Sequence, residues 1–323
     1  MLRTRLCDLL GIEHPIIQAS LGPWSSAELV AAVSNAGGLG SFGAVLKPAD
    51  ELRTQLQRTK ELTDRPFAVN LSARPFNEEV FELTIETKPA VISFAHGEPG
   101  ELVGQAHQAG ILFVQMVNTV GQASQAADRG VDAIIAQGTE AGGFGGTVST
   151  MSLVPQVVDA VDPIPVVAAG GIADGRGLAA ALVLGAQGVN IGTRFVASTE
   201  AATSDEWKRR ILEAASEEAI KAEFANYIFP PPNREGGYEA LPRVLRTPFV
   251  EEWNRRQAEV EREAERLSGE LMEAVRQGRG HELVPFTGQT AGMIGEILPA
   301  GEIVRAMVTE TEEALQGASQ FLQ

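Results

Sequence analysis

Short apolar runs alternate with alanine-rich amphipathic stretches along the first 200 residues of the chain. Runs rich in Val, Ile, Ala and Phe predict strands, at residues 15–18, 39–43, 67–71, 90–94, 111–117, 133–138, 165–171 and 188–193. The stretches between them have helical spacing, for example residues 25–35, 100–108, 120–129, 152–161 and 174–184. The strands show little polar alternation, which is typical of parallel strands buried on both faces. Eight βα units favour the α/β class and a (β/α)8 barrel over an open sheet.

The pattern changes near Ala201. Two helical stretches follow, the second long and highly charged, joined by a connector rich in Pro and Gly, and no strand pattern occurs from about residue 205 to 280. We therefore predict a helical insertion domain over residues 205–281, its charges facing solvent, within a barrel formed by residues 1–204 and 282–323. Aromatic residues before the connector predict that the insertion is a lid over the active face; they are Phe224, Tyr227 and Phe229.

Composition narrows the classes of partner. The net charge of −16 argues against nucleic acid and anionic membranes, because non-specific binding to both depends on basic patches. The single cysteine, Cys7, excludes an intrachain disulfide and favours a reducing cytoplasm. No apolar run reaches the roughly 18 residues of a membrane helix. The expected partner is a small-molecule substrate, with the choice between monomer and homodimer left open.

The residues that end the predicted strands indicate the chemistry, because a barrel of this type has its active face at the carboxyl ends of its strands. Amides end four of the earlier strands, namely Gln18, Asn70, Gln115 and Gln137. Glycine clusters follow the sixth, seventh and eighth strands, and the last two fit the usual phosphate site of such barrels. Gly170 and Gly171 can present backbone N–H groups there, and Thr193 adds a hydroxyl. These clusters favour a ligand that carries a phosphate.

An amide offers both a donor and an acceptor, which suits the mixed N–H and C=O edge of a flavin ring. No cluster of His, Cys, Asp and Glu has metal-ligand spacing, so no metal is predicted. No lysine ends a predicted strand, which argues against Schiff-base chemistry at the active face.

Several segments, taken in order, resemble the nitronate monooxygenase family, formerly called 2-nitropropane dioxygenases; these are HPIIQASLGPWSSAELVAAVSNAGGLGSFGA, RPFAVNL, QGTEAGGFGG, PVVAAGGIADGRGLAAALVLGAQGVNIGTRF and FTGQTAGMIGEILPAGEIV. The same superfamily includes flavin-dependent enoyl-acyl-carrier-protein reductases and NADH:quinone reductases. The resemblance implies a TIM barrel that binds FMN non-covalently. It places the FMN phosphate at the glycine-rich loops and the ring near the four amides. The implied cofactor contacts are Gln18, Asn70, Gln115, Gln137, Gly142, Gly143, Gly170, Gly171, Gly192, Thr193 and Gln289.

The chain departs from the family pattern at Phe144. The family has a histidine there, within AGGH, which the resemblance would make the base of nitronate oxidation or a substrate-positioning group in the reductases. Phenylalanine can neither accept a proton nor donate a hydrogen bond. Of the four histidines only His96 follows a predicted strand at the active face, and an imidazole with an unshifted pKa near 6.5 could act as base or donor. The predicted catalytic positions are therefore His96 and Phe144.

Three functions fit this sequence. The first is FMN-dependent oxidation of alkyl nitronates or similar carbanions with O2, for which a base is less essential because a nitronate is already deprotonated. The second is an NAD(P)H-dependent flavin reductase of a quinone or an enoyl-acyl substrate, since hydride transfer also needs no histidine. The third is a non-catalytic flavin-binding protein. Fold alone does not decide between these chemistries.

Overall fold

The computed structural model of the protein describes residues 2–73, 75–229 and 240–322. Its strands are β1 (Ile16–Gln18), β2 (Gly40–Gly43), β3 (Phe67–Ser72), β4 (Val91–Ala95), β5 (Leu112–Val117), β6 (Ala133–Gln137), β7 (Gly143–Gly145), β8 (Val166–Ala169), β9 (Gly188–Ile191), β10 (Ala219–Lys221) and β11 (Leu241–Leu245). Its helices are α1 (Arg5–Leu10), α2 (Ala27–Asn35), α3 (Ala49–Leu62), α4 (Glu78–Thr87), α5 (Leu102–Gln108), α6 (Val120–Asp128), α7 (Thr150–Val161), α8 (Gly175–Val183), α9 (Thr193–Val196), α10 (Asp205–Glu213), α11 (Ala225–Ile228), α12 (Pro248–Arg255), α13 (Gln257–Arg276), α14 (Gly280–Leu283) and α15 (Ala300–Ala318). Within these described ranges, no helix has the length and hydrophobicity needed to cross a membrane.

Eight parallel strands form a barrel, in the order β1, β9, β8, β6, β5, β4, β3, β2. The two outer strands of this order meet through Leu39, whose N–H donates to Ile16 O at 2.9 Å and whose carbonyl accepts from Gln18 N at 2.9 Å. The barrel interior is filled by alternate strand residues such as Val114 and Val167, together with α1. The intervening residues pack outward against the helices. All eight predicted barrel strands are present, and the predicted (β/α)8 TIM barrel is confirmed.

Local sequence explains where the helices begin. The side chain of Ser26 accepts a hydrogen bond from Leu29 N at the start of α2, and Thr119 accepts from Gln122 N at the start of α6. Asp174 caps α8 in the same way, through Arg176 N and Gly177 N. These side chains satisfy the first free N–H groups of the three helices, so the βα turns before α2, α6 and α8 end at fixed points. The active-face loops that lead into these helices therefore end at well-defined positions.

Residues 205–281 contain two strands besides their helices, so the prediction that no strand occurs there is wrong. Strand β11 pairs antiparallel with both β10 and β7, which gives a three-stranded sheet. The strands were not recognisable because β10 spans three residues and β11 contains Pro242, a residue that argues against a central strand. Most of the Pro- and Gly-rich connector, residues 230–239, lies outside the described residues.

This segment also has a hydrophobic core distinct from that of the barrel. Phe224, Trp253 and Leu267 are buried in it together with Val244 of β11. The charged residues of α12 and α13 pair along an exposed surface, as in Arg256 with Glu252 and Glu259. Exposed pairs of this kind contribute little to stability, because water and salt screen the charges and ordering the long side chains costs entropy. The segment is therefore held by its core rather than by its many ion pairs.

Candidate active site

A cavity of about 310 Å³ opens at the carboxyl ends of the barrel strands. We call its lower wall the floor; it is formed by strand-end residues Ser41, Asn70, Ser93, Gln137 and Asn190. We call its upper wall the roof; it is formed by Phe144, Asn226, Phe229, Leu271, Met272, Val275 and Phe286. The floor residues are polar side chains that the barrel contributes, and they lie among apolar barrel residues such as Val91 and Ile135; most of the roof comes from residues 205–281. The cavity size is in the range of small-molecule sites.

Most of the sequence-predicted site residues line this one cavity. They are Asn70, His96, Gln137, Gly142, Gly143, Phe144, Gly170, Gly171, Gly192 and Thr193. Three predicted cofactor contacts do not line it, namely Gln18, Gln115 and Gln289. In each case the residues directly before and after the predicted one line the cavity instead.

Strand alternation explains two of these differences. On β1 the residues that line the cavity are Ile17 and Ala19, so the side chain of Gln18 between them points away. Its amide oxygen accepts from Ser41 N at 2.9 Å and its amide nitrogen donates to Ala19 O. Gln115 lies likewise between two lining residues of β5, and its Nε2 donates to Gly97 O at 3.4 Å. Both glutamines therefore hold backbone in place instead of facing the cavity.

Gln289 is the third difference. Its backbone N–H donates to Glu140 O at 3.0 Å, and its neighbours Gly288 and Thr290 are the ones that line the cavity. The sequence motif therefore located the right segment but assigned the contact to the wrong residue.

Two of the three floor amides, Asn70 and Gln137, are held by their neighbours. Ser20 Oγ donates to Asn70 Oδ1 at 2.9 Å, and Asn70 Nδ2 donates to Ser93 Oγ at 2.9 Å. Asn118 Nδ2 donates to Gln137 Oε1 at 2.9 Å. That bond uses one of the two lone pairs of the oxygen, so Gln137 can offer a ligand its Nε2 donor and a second acceptor position. The floor is thus a pre-organised set of polar groups.

Glycines allow the loops after β6 and β8 to take their shape. Gly143, Gly170 and Gly171 have φ values of 72°, 96° and 74°, a region that other residues adopt only with strain. A Cβ on Gly142 would lie 2.7 Å from Gly288 N, so the loop after β6 packs directly on the C-terminal segment. Thr193 Oγ1 joins the same contact by accepting from Gly288 N at 2.9 Å.

Glu140, which sequence analysis missed, is the one carboxylate among the described lining residues. It accepts from Thr150 N at 3.0 Å and from Thr150 Oγ1 at 3.0 Å, at the start of α7. Two cations lie near enough to interact with Glu140: Lys221 of β10 and Arg243 of β11. Burial, with Arg243 close by, lowers the pKa of Lys221 to about 8. Burial also lowers the pKa of Arg243.

These two cations fix the loop after β6 from the side opposite the cavity. Arg243 Nε donates to Thr139 O at 2.9 Å. Lys221 Nζ donates to Gly145 O at 3.3 Å and to Leu241 O at 3.0 Å. The glycine-rich loop is therefore ordered by the inserted segment as well as by the barrel.

Phe144 is the central residue of β7 and pairs with Pro242 of β11. Its ring lies in an aromatic cluster, with centroids 5.2 Å from Phe229, 6.0 Å from Phe286 and 5.5 Å from His96. Edge-to-face contacts of this kind stabilise a fixed arrangement of rings. The loop that carries Phe144 is therefore one strand of a sheet, and its aromatic side chain closes the roof.

His96 lines the cavity and contacts the Phe144 ring at nearly right angles. Its backbone has a φ of 59°, which is rare for a residue with a side chain. Burial lowers the pKa of His96 to about 4. The expectation of an unshifted pKa near 6.5 is therefore wrong, and the imidazole is neutral at neutral pH.

Two tryptophans complete the wall and were also missed. Trp24 and Trp207 line the cavity and contact each other at 4.9 Å between ring centroids. Trp207 Nε1 donates to Thr287 Oγ1 at 3.0 Å. They are separated by most of the barrel sequence, so spacing offers no signal. The chain's low aromatic content of 6 % is the one hint that each aromatic residue has a specific place.

Comparisons with known proteins match one family model and several relatives that carry different names. A family model described as nitronate monooxygenase matches residues 3–80 and 73–310. Nitronate monooxygenase of Paraburkholderia phytofirmans is 31% identical over 98% of this chain and 97% of its own length. A (3aS,4S,5R,7aS)-5-hydroxy-7a-methyl-1-oxo-octahydro-1H-indene-4-carboxyl-CoA dehydrogenase of Mycobacterium tuberculosis is 43% identical over 66% of this chain. That match spans 61% of the relative's own length.

Solved structures share the whole fold. FabK from Thermotoga maritima has a TM-score of 0.90 and 36% identity, covering 99% of this chain and 100% of that chain. Nitroalkane oxidase from Streptomyces ansochromogenes has a TM-score of 0.81 and 29% identity, covering 97% and 99%.

Proposed function

Because the chain belongs to the nitronate monooxygenase family, we propose that this oxidoreductase uses FMN to oxidise alkyl nitronates, or similarly stabilised carbanions, with O2. The observation that carries the proposal is the weakness of the bases among the described residues that line the cavity: Glu140, the one carboxylate, is held by hydrogen bonds from Thr150 at the start of α7. Phe144 has no proton acceptor, and His96 is a weak base because burial lowers its pKa to about 4. A site of this kind suits a substrate that arrives already ionised.

The residues around the cavity fit FMN. Gly170 and Gly171 have left-handed backbones, and with the Thr193 hydroxyl they form the kind of loop whose donors bind phosphate oxygens. Asn70 and Gln137 offer amide groups on the floor, which match the donor and acceptor edge of a flavin ring. Bound FMN would supply the redox chemistry, taking electrons from the substrate carbanion and passing them to O2.

The side chains of the roof would bind and shield the substrate. Phe144, Phe229 and Phe286 contact one another and form an apolar wall. Such a wall excludes water and packs against an alkyl chain. Residues 205–281 would serve as the lid domain that brings this wall over the barrel, a role supported by their separate core and their share of the lining.

A test mixes the FMN-loaded protein, without oxygen, with propyl-2-nitronate, NADH or NADPH in separate cuvettes. We expect the nitronate alone to bleach the flavin, with oxygen restoring the colour. A matched reaction with the neutral nitroalkane should be far slower, since it needs a base. Bleaching by a nicotinamide and not by the nitronate would overturn the oxygenase proposal, and bleaching by none of the three would favour a non-catalytic flavin-binding protein.

A second candidate is an NAD(P)H-dependent reductase of a quinone or an enoyl-acyl substrate. It is favoured by the likeness to FabK over nearly the whole of both chains. The 43% identity to the indene-carboxyl-CoA dehydrogenase of Mycobacterium tuberculosis, over part of each chain, also supports a CoA-linked acyl substrate. In this case the apolar roof would bind the acyl or ring portion of the acceptor. The nicotinamide arms of the same anaerobic experiment separate this candidate from the first.

A further inference from the structure

The part of the roof that comes from residues 205–281 contains one uncommitted polar side chain among the described residues. Phe229, Leu271, Met272 and Val275 are apolar, and Trp207 uses its N–H on Thr287. Asn226, on the short helix α11, is the exception. An amide placed in an apolar wall has a cost, so it calls for an explanation.

The amide oxygen of Asn226 is buried and has no hydrogen-bond partner among the described residues. Asn254 in the same segment shows the usual arrangement for comparison. Its Oδ1 accepts from Glu223 N at 2.9 Å and its Nδ2 donates to Lys221 O at 2.9 Å. Buried amides are normally satisfied in this way, and one left unpaired at a cavity wall points to a missing ligand.

The position of Asn226 places this polar group beside the aromatic roof. Phe229 follows it by three residues, a spacing that puts side chains on the same side of a helical turn. The Phe229 ring contacts Phe144 with centroids 5.2 Å apart. The roof therefore presents one amide next to the place where Phe144 offers no polar atom.

The charges of the cavity favour an amide donor for an ionised substrate. Among the described lining residues there is no lysine or arginine, and Glu140 is negative. An anionic oxygen that enters below the apolar roof must therefore find a neutral donor. The Asn226 carboxamide supplies one through its Nδ2, which has no acceptor among the described residues.

We propose that Asn226 is a substrate-binding residue, whose amide nitrogen donates a hydrogen bond to an oxygen of the nitronate and so orients the carbanion below Phe144. The inference rests on the proposed function. With this assignment, residues 205–281 provide the polar contact to the nitronate group, which is the reacting end of the substrate.

The test uses the FMN-loaded full chain with Asn226→Leu and Asn226→Asp, and Asn254→Leu as the matched control. Binding of propyl-2-nitronate is followed under anaerobic conditions on protein whose FMN has already been reduced, so that no reaction occurs, by tryptophan fluorescence; two of the three tryptophans, Trp24 and Trp207, line the cavity. Turnover with O2 gives KM and kcat, and thermal unfolding is recorded for each protein. Because tryptophan fluorescence reports binding directly, one readout does not depend on activity.

We expect Asn226→Leu to raise the Kd and KM for the nitronate by roughly 10- to 100-fold, as for loss of a hydrogen bond to a charged group. Its Tm should stay the same or rise, because the substitution removes an unpaired buried amide. Asn226→Asp keeps the shape but repels an anion, so it should bind at least as weakly as Asn226→Leu. The control Asn254→Leu should instead lower the Tm and leave the Kd unchanged.

An Asn226→Leu protein that binds and oxidises the nitronate as well as the wild type would overturn the inference and leave the proposed function intact. The same holds if Asn226→Asp binds like the wild type, because shape would then be sufficient. A wild type that neither binds nor oxidises the nitronate would overturn the proposed function, and with it this assignment.

Discussion

The floor and the roof of the cavity are built in opposite ways. On the floor, Asn70 and Gln137 lie on barrel strands and each is fixed by a neighbouring side chain. In the roof, Phe144 and Phe229 pack as rings, and Asn226 has an unpaired amide oxygen. These two amides of the floor are thus set before any ligand binds, which suits a tightly held cofactor, whereas the hydroxyl of Ser41 on the floor has no partner among the described residues. In the roof, the Asn226 amide has no protein partner in the part of the chain that the structure describes, which suits a substrate that binds and dissociates in each turnover.

The largest effect should come from placing charge where the loops meet the cofactor. We expect Gly171→Asp to abolish FMN retention, because a carboxylate would repel the phosphate and lie beside Glu140. The measurement is the FMN content of purified protein after gel filtration. Gly130→Asp is the matched control, since Gly130 has a similar φ of 78° but has open space around it. Equal FMN content in both variants would place the phosphate elsewhere.

The next effect concerns the missing base of the roof. Phe144→His should raise turnover of the neutral nitroalkane by up to roughly 10²–10⁴-fold, the usual range of general base catalysis. Turnover of the nitronate should change much less, because it needs no deprotonation. The ratio of the two rates, measured in an oxygen electrode, is the readout.

His96→Ala is the companion variant. If the wild type already oxidises the neutral nitroalkane well and His96→Ala does not, then His96 is the base and the role given to Phe144 is wrong.

Substitutions of two phenylalanines in residues 205–281 should distinguish a residue that stabilises the segment from one that contacts the substrate. Phe224 is fully buried in the core of the segment. Phe224→Ala should lower the free energy of unfolding by about 3–5 kcal/mol, as for large core truncations. Phe229→Ala should cost less, because part of its ring faces the cavity, but should change the KM for the substrate. Urea unfolding measures the loss of stability, and steady-state kinetics measure the KM. Equal losses of stability in the two variants would contradict this prediction.

The smallest effect should be the pH dependence of stability due to His96. Its pKa is about 6.5 in an unfolded chain and about 4 in the fold. Between these values the unfolded state binds more protons, so the contribution is fully present above pH 6.5 and is lost as pH falls to 4. The loss should be on the order of 2–3 kcal/mol. As pH falls over this range, the urea midpoint of the wild type should fall relative to that of His96→Gln, and parallel curves would contradict the shift.

The sequence by itself determined the barrel and the loops of the active face. Eight short apolar runs and the glycines that follow them reflect local rules: strands buried on both faces need apolar residues, and tight turns need glycine. Gly170, Gly171 and Thr193 could therefore be predicted without knowing what packs on them. The same rules failed for Gln18 and Gln115, because a shift of one residue along a strand turns a side chain to the other face.

Only the tertiary structure decided how the roof is assembled. Strand β7 forms because β11, about a hundred residues later, provides its partner, and neither has a recognisable strand pattern alone. The aromatic contacts of Phe144 with Phe229 and Phe286, and the low pKa of His96, depend on segments far apart in sequence. Pairing and burial are properties of neighbours in space, and a linear pattern records them only where those neighbours are also near in the chain.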